Sequence, residues 1–460
     1  MMRYLINTIK FIALIWVFLF FAFIIINWGD EDLKPEVVQA LAWKPPANAY
    51  QNNGYLTLLG IKAPMEMDAE KVGKKALESE LARFASMQKM HKEMPTQVLN
   101  SAEAEEYIDW KDNQCDYQKQ QNCVDFYLQQ GADKLTLVMA SQARLTARYN
   151  TIRQAKNYIE MMPPLITSPF PKYQLLMKAT ELERIEAISD ISEGRVEQGV
   201  TRLAENAAFS RNLLRESNTL VSHMVAVAMM QRDTRILSEL KTKYPEIATK
   251  YSAQLMPMFE TVSTAEYNLE KSFKNERGMS LQVMSNLKYA TAKDVSNNSS
   301  LIKNTLISIS TLGFQPNATT NLFYDWGTLR LELAQAKASQ LDEVKEKSRN
   351  KHKDLLGIGY GWFYIKNPVG KILASIAEPE YENYIERQHD LDGYLKMLKM
   401  QLDVLADVVA KDKTSGIKVH DPYTQKLMQY DVDTGILTFE GRQASTGNFN
   451  KSNIYQVKLH

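Results

Sequence analysis

The feature that most constrains this chain of 460 residues is an apolar run near its N-terminus. Residues 11–26, FIALIWVFLFFAFIII, contain no charged or strongly polar side chain. Extended back to Tyr4 and forward to Trp28, the run is long enough to cross about 30 Å of hydrocarbon as a helix. These two aromatic residues lie near its ends, where membrane interfaces favour them. The run therefore predicts a transmembrane helix.

A cleaved signal peptide is the alternative interpretation of this run. Its apolar core would span about 7–15 residues and would be followed closely by a small-x-small cleavage site. Here the apolar core is longer, and the nearest such triplet, residues 40–42, comes much later. We therefore expect a retained anchor.

The charges that flank the run predict its orientation. Arg3 and Lys10 precede most of it, whereas Asp30, Glu31 and Asp32 follow it. By the positive-inside rule the N-terminus is then cytoplasmic and the rest of the chain lies outside the cytoplasm. Since no later segment of comparable length is free of charge, a single-pass protein of a bacterial inner membrane is expected, with its bulk in the periplasm.

The only two cysteines, Cys115 and Cys123, are separated by seven mostly polar residues. A zinc site needs four ligands, commonly with C-x₂₋₄-C spacing, and the nearest histidine is His91. A catalytic dithiol usually has C-x-x-C spacing. Because disulfides persist in the periplasm, a structural disulfide between these cysteines is predicted.

Apolar periodicity indicates a mainly α fold. Residues 172–243 repeat apolar side chains at three- and four-residue steps, interrupted at Gly194, as in consecutive antiparallel helix hairpins of a solenoid-like body. The C-terminal part changes period: a turn at 421–424 and strands at 427–430 and 436–439 predict a small β-hairpin. Further helices are expected from residue 69 onward and at 134–161, 320–350 and 380–411.

These patterns divide the chain into four parts. Residues 1–28 form the cytoplasmic N-terminus and anchor, and 29–47, which contain Pro35, Pro45 and Pro46, form an extended spacer. Residues 48–411 form the helical periplasmic domain, with a subdivision near 290–320, and 412–460 form the hairpin tail.

No common catalytic or metal-binding motif occurs in the chain, so we predict no catalytic residue, metal ligand or cofactor. The formal net charge of +1 gives no reason to expect nucleic-acid binding. The densest polar cluster is formed by Arg387, His389, Asp390 and Asp392. This cluster is interpreted as a structural hydrogen-bond network or helix cap, or alternatively as the active site of an envelope hydrolase.

A segment almost free of charge, 355–377, lies near this cluster in the sequence and includes Trp362 and Tyr364. Buried core packing is one interpretation. The alternative is an exposed element that contacts the membrane or a partner, or that binds a lipid or a peptidoglycan fragment.

Several short segments carry a resemblance beyond these patterns. They are NAYQNNGYLTLLG at 48–60, the paired cysteines, RNLLRESNTLVSHMVAVA at 211–228, NPVG at 367–370, RQHDLD at 387–392 and DPYT at 421–424. Together they resemble an uncharacterised family of inner-membrane-anchored periplasmic helical proteins of Gram-negative bacteria. The resemblance extends to a factor that places type VI secretion assembly at cell contacts, and it supplies no catalytic residues.

The resulting expectation is a non-enzymatic scaffold or sensor, held to inner-membrane lipid by its anchor. Helical arrays commonly present extended binding surfaces, and the partners expected here are envelope proteins that the body recruits or positions.

Overall fold

The computed structural model describes residues 2–46, 49–64, 66–90, 114–117, 122–267, 269–287, 313–357, 365–376, 381–406, 418–443 and 453–459. Over these residues the protein is mainly helical, with 17 α-helices and one small sheet. The predicted subdivision near 290–320 falls largely outside the described residues.

The helices of the N-terminal half are α1 Met2–Asn27, α2 Pro35–Leu41, α3 Gly54–Leu59, α4 Ala69–Met90, α5 Cys123–Gln130, α6 Ala132–Ser141, α7 Ala143–Gln154, α8 Tyr173–Ser192 and α9 Val196–Glu216. Those of the C-terminal half are α10 Leu220–Lys243, α11 Glu246–Lys250, α12 Ser252–Phe259, α13 Glu270–Leu287, α14 Pro316–Ala334, α15 Leu341–Leu356, α16 Pro368–Ile376 and α17 Glu382–Ala406. A 3₁₀ turn, Ala338–Gln340, links α14 to α15.

Helix α1 has the length and composition that the sequence predicts. Its candidate span, Tyr4–Asn27, contains 24 residues, and an 18-residue window within it has a mean hydropathy of 2.9 and is not buried within the protein. At about 1.5 Å per residue this span is roughly 36 Å long. It is long and apolar enough to cross a membrane.

The centre of the main core is formed by α8, α9 and α10. Each packs along the next, and α8 is covered on most sides, so that Leu182 and Ile188 are fully buried. Gly194, with φ of +86°, makes the turn between α8 and α9 at the predicted interruption. A capping box between Thr219 and Ser222 begins α10. The predicted helices over 172–243 are confirmed.

The C-terminal half closes the body onto this core. Helix α17 packs against α10, α11 and α12, which lie far earlier in the chain. Since units of a solenoid contact only their neighbours, the solenoid-like description applies to α8–α10 and not to the whole body.

The predicted helix over 134–161 ends early. It is divided at Gln142, and α7 ends at Gln154. The backbone of Ile159 is held by Asn53, whose side-chain oxygen accepts from Ile159 N at 2.9 Å and whose amide donates to Ile159 O at 2.8 Å. A partner 106 residues away thus holds this stretch out of the helix.

The tail contains a three-stranded antiparallel sheet in the order β1 (Gln429–Asp431), β2 (Ile436–Glu440), β3 (Ile454–Lys458). The predicted hairpin is confirmed as β1 and β2. The third strand, β3, was not predicted from the sequence. Phe439 of β2 lies opposite Tyr455 of β3, and both side chains are buried. A β-carbon on Gly393 of α17 would lie 2.5 Å from the Phe439 ring, so the sheet packs closely on that helix.

The prediction of an extended spacer over 29–47 is wrong. Pro35 occupies the first turn of α2, where its fixed φ favours a helix. Val37 of α2 is fully buried in a second, smaller core, which it shares with α13, α14, α15 and α16 through Leu281, Met284, Phe323, Trp326, Leu356 and Ala374. The segment after α1 is therefore docked on the body.

Candidate functional site

The most extensive polar contact between α1 and the body is a joint at the end of that helix. Asn27 donates to the carbonyl of Ile365 at 2.8 Å, and its side-chain oxygen accepts from the backbone N–H of Asn367 at 2.8 Å. Two residues later, Gly29 O accepts from the Gln315 side chain at 2.8 Å. Segments some 340 residues apart in sequence therefore meet where the apolar helix ends.

The acidic residues after α1 complete the joint by capping α14. Gln315, at the N-cap position, makes no capping hydrogen bond with its side chain. Asp30 does so instead, accepting from Asn317 N at 2.6 Å and Ala318 N at 3.0 Å. A carboxylate here satisfies free N–H groups and lies at the positive end of the helix dipole. The linker thus stabilises the helix on which it docks.

A second row of contacts runs along the first turns of α14. Asn321 donates to the Glu31 carboxylate at 2.8 Å and accepts from Lys34 N at 3.0 Å. The Lys34 ammonium pairs with Asp325 at 2.7 Å. Residues 27–34 are therefore hydrogen-bonded to the body along most of their length.

Asn367 joins α16 to the same site. It adopts a positive φ of 51°, which asparagine tolerates better than most residues, and its side chain accepts from Gly370 N at 3.3 Å as the cap of α16. The same oxygen accepts from Gln315 N at 2.9 Å. A β-carbon on Gly370 would lie 2.0 Å from Thr319 Oγ1, so only glycine permits this approach of α16 to α14.

Sequence reasoning noted the NPVG segment that contains Asn367 but gave it no role, and it missed Asn27. A polar residue at the end of an apolar run and an Asn-Pro pair at a helix start are signals for both. Neither signal identifies the partner.

The predicted disulfide between Cys115 and Cys123 is present, with the Cα atoms 5.5 Å apart. It is not a surface staple, because Cys123 is fully buried and Cys115 nearly so. The N–H of Cys123 donates to Glu239 of α10 at 2.8 Å. The bridge thus fastens its loop to the main core.

This loop carries Tyr117 to a buried charge network. The hydroxyl groups of Tyr117 and Tyr127 donate to Glu181 at 2.7 and 2.6 Å, and Glu181 and Asp233 both pair with Arg184 at 2.6 Å. Burial alone would lower the pKa of Arg184, but these two carboxylates hold the pKa above its ordinary value. Every charge in this set has a partner, so the network joins α8 to α10.

The predicted polar cluster on α17 is split between different partners. Asp390 accepts from the Tyr423 hydroxyl at 2.6 Å and from the N–H groups of Arg442 and Gln443 at 3.0 and 2.8 Å. Asp392 accepts instead from Val262 N at 3.1 Å. The first carboxylate holds the C-terminal sheet on α17, and the second holds the loop after α12.

His389 shares the Tyr267 hydroxyl with Asp392, whereas Arg387 faces a different group. His389 Nδ1 lies 3.3 Å from the Tyr267 hydroxyl, and the Arg387 guanidinium lies 5.9 Å from the centre of the Tyr384 ring. Burial lowers the pKa of His389 to about 4, whereas burial raises the pKa of Asp390 to about 6. At neutral pH this gives an uncharged imidazole beside a carboxylate already engaged by several donors.

Trp362 and Tyr364, the aromatic candidates of the 355–377 segment, lie outside the described residues. Within the described part of that segment, α16 exposes Ile372 and Ile376 and buries Ala374.

A cleft of about 370 Å³, including solvent at its mouth, lies beside the proline-rich loop at 163–171. Glu160 lines it and accepts from Tyr173 at 2.9 Å, Asn218 N at 2.7 Å and Ser222 at 2.9 Å. Burial raises the pKa of Glu160, and these donors oppose that rise. The carboxylate thus joins the segment before the loop to α8 and to the start of α10.

Across the described ranges, no group of three or more His, Cys, Asp or Glu side chains is arranged to hold a metal ion. The class defined by fold and site is a helical protein with one apolar N-terminal helix fastened to its body by a hydrogen-bonded joint. No protein-family model, curated protein or solved structure matches this chain.

Proposed function

We propose that this protein is a non-enzymatic, membrane-anchored scaffold or sensor that recruits or positions other envelope proteins. In this proposal α1 crosses the inner membrane of a Gram-negative bacterium with its N-terminus in the cytoplasm. The helical body lies in the periplasm, and assembly of a type VI secretion machine at cell contacts is the process it would position.

The observation that carries the proposal is the joint at the end of α1. A flexible spacer would suffice to keep an enzyme near a membrane. Here Asn27, Asp30 and Lys34 bind the body directly, so the anchor and the body form one hydrogen-bonded unit. A protein that must present a surface at a set height and angle above a bilayer requires such a connection.

The compartment is supported by two independent features. Arg3 and Lys10 precede the apolar stretch and three acidic residues follow it, which favours a cytoplasmic N-terminus. The buried disulfide between Cys115 and Cys123 fits an oxidising compartment such as the periplasm.

The rival hypothesis, an envelope hydrolase that uses His389, Asp390 and Asp392, has less support. A general base must reach the proton that it abstracts. Asp390 already accepts three or more hydrogen bonds, and Asp392 accepts from Val262 N and from Tyr267 and pairs with Lys396 at 2.9 Å. These contacts are those of a packing joint between α17, the sheet and the loop after α12.

The proposal is tested by photo-cross-linking in cells. A photoreactive residue is placed at Leu137 or at Ile166, which are exposed by 71% and 66% on the body. We expect one set of envelope proteins to be captured from at least one of these positions. The matched control carries the same photoreactive residue together with Asn27→Ala, which opens the joint but leaves the apolar stretch in place.

Capture should fall in the control although the protein stays in the membrane fraction. Equal capture with the joint open would contradict the role assigned to the joint, and no specific envelope partner at either position would contradict the scaffold. Loss of phenotype in a folded His389→Ala variant would instead favour the hydrolase.

A further inference from the structure

We propose that α16 lies in the outer interface of the bilayer that α1 crosses, with Ile372 and Ile376 in contact with lipid. This inference rests on the proposed function, because it requires α1 to span the membrane. It adds a second membrane contact, made by the body itself.

The position of α16 relative to α1 is fixed by short contacts. Asn367, immediately before α16, donates its N–H to the side-chain oxygen of Asn27, the last residue of α1. A β-carbon on Gly313 would lie 3.1 Å from the Pro368 ring and 3.4 Å from the ring of Phe23. The start of α16 is thus beside the final turns of the apolar helix.

The length of α1 places those turns at the membrane boundary. The continuous apolar run 11–26 is about 24 Å long, within a hydrocarbon thickness of about 30 Å, so the polar Asn27 marks the C-terminal limit of the hydrocarbon-spanning part. Phe23 precedes Asn27 by four residues, a rise of about 6 Å. Body residues at the level of Phe23 are therefore close to the boundary between hydrocarbon and headgroups.

One face of helix α16 packs against the rest of the protein, and the opposite face is exposed. Gly370 and Ala374 are buried, with Gly370 against Thr319 of α14. Ile372 and Ile376 are exposed by 44% and 72%. At about 100° per residue this second pair lies on the opposite side of the helix from the first.

Two further observations favour lipid as the occupant of this face. Among the described residues between Val221 and Leu427, these two isoleucines are the only large hydrophobic side chains that are exposed. Lys366 precedes α16 with 54% of its side chain exposed, and its ammonium forms only a loose pair with Glu31 at 3.8 Å, in the region where headgroups would lie beside an interfacial helix. In this part of the chain, the exposed large hydrophobic side chains thus lie on the helix that begins beside α1.

The test uses the full chain in liposomes, with Ile376→Cys labelled by an environment-sensitive fluorophore. The native cysteines are joined in a buried disulfide and do not compete for the label. Leu427→Cys, at an exposed leucine before the C-terminal sheet, is the matched control. Trp16→Cys, near the middle of α1, reports whether the anchor is inserted.

We expect nitroxide placed near the headgroup end of the lipid chains to quench the label at 376 at least about twofold more than the label at 427, since interfacial helices bury their apolar face about 5–10 Å deep. Iodide in the water should quench the label at 376 less than that at 427. The label at 16 should be quenched most by nitroxide deep in the chains.

Other results overturn the inference in distinguishable ways. If the label at 16 is quenched but that at 376 is open to iodide, α1 spans the membrane and α16 faces water. If 376 is protected from both quenchers, a protein or a second copy covers α16. If 16 is not quenched by lipid nitroxide, anchoring fails and the interfacial contact fails with it.

Discussion

The joint at the end of α1 yields a prediction with a defined magnitude, tested by Asn27→Ala. The substitution removes the two hydrogen bonds of 2.8 Å to the body, one to the carbonyl of Ile365 and one from the N–H of Asn367, and also the bond of 3.0 Å to Phe23 O within α1. Each is worth about 1 kcal/mol, and the buried Asn367 N–H left without its acceptor costs a further 1–3 kcal/mol or so. Partial solvation of the opened joint offsets part of this sum.

The expected cost is therefore about 2–4 kcal/mol in local stability, or roughly a 30- to 1,000-fold increase in the opening equilibrium. Hydrogen–deuterium exchange of the Asn367 amide, followed by mass spectrometry of the protein in lipid nanodiscs, measures this equilibrium directly. The body should remain folded, because the main core does not include Asn27.

The control for this measurement is Thr8→Ala. Thr8 lies in the same helix, and its exposed hydroxyl donates only to Tyr4 O at 2.9 Å within α1. Exchange at Asn367 should be unchanged in this variant. Protection of Asn367 that stays within about threefold of the parent in Asn27→Ala would refute the argument that these bonds hold the anchor on the body.

Three further predictions concern the body, each checked by urea unfolding. Asp233→Ala should cost about 3–5 kcal/mol because it leaves Arg184 buried with one carboxylate partner fewer, and a loss below about 1 kcal/mol would contradict the buried-charge argument. Replacement of both Cys115 and Cys123 by serine should lower the free energy of unfolding by about 2.5 kcal/mol, because the disulfide closes a short loop. An unchanged midpoint of urea unfolding would show that the disulfide does not stabilise the loop. Since burial lowers the pKa of His389 to about 4, the unfolded chain binds a proton there first, and His389 contributes a loss of stability as the pH drops from about 6.5 to 4, opposed by Asp390, whose pKa is raised to about 6. His389→Phe should remove this contribution, so that the parent loses stability relative to the variant over this range; a stability difference independent of pH would contradict the assigned pKa.

Local patterns were sufficient to predict part of the fold. The helices α8–α10 follow from apolar periodicity, and the turn between α8 and α9 follows from Gly194, because both signals are contained within a few residues. The β1–β2 hairpin is similar, since Gly435 supplies the positive φ of its turn.

Features that depend on distant partners could not be predicted in this way. The stretch rich in Gly, Ser, Thr and Asn between β2 and β3 indicates a loop but does not tell with which strand β3 pairs. The chain before Ile159 leaves the helix because Asn53 holds it. The docking of the linker depends on Asn317 and Asn321, 287 or more residues further on. Periodicity carries no information about such pairs, because it is read within one element.

The candidate site illustrates the same limit. The sequence identified Asp390 as part of a dense polar cluster. It did not decide whether that cluster is a structural hydrogen-bond network or an active site. Only the position of Tyr423 and of the backbone at Arg442 reveals which groups face the carboxylate. Conversely, Asn27 attracted no attention because its partner is 340 residues away.

The capping of α14 by Asp30 has a consequence for biosynthesis. The carboxylate emerges early, but its partners Asn317 and Ala318 follow some 287 residues later, which at 5–20 residues per second is a delay of roughly 15–60 s. During that interval the segment after the anchor must stay soluble and unpaired. Three adjacent acidic residues suit this interval, because they remain hydrated until α14 is made, so the angle between α1 and the body can be fixed only after that point.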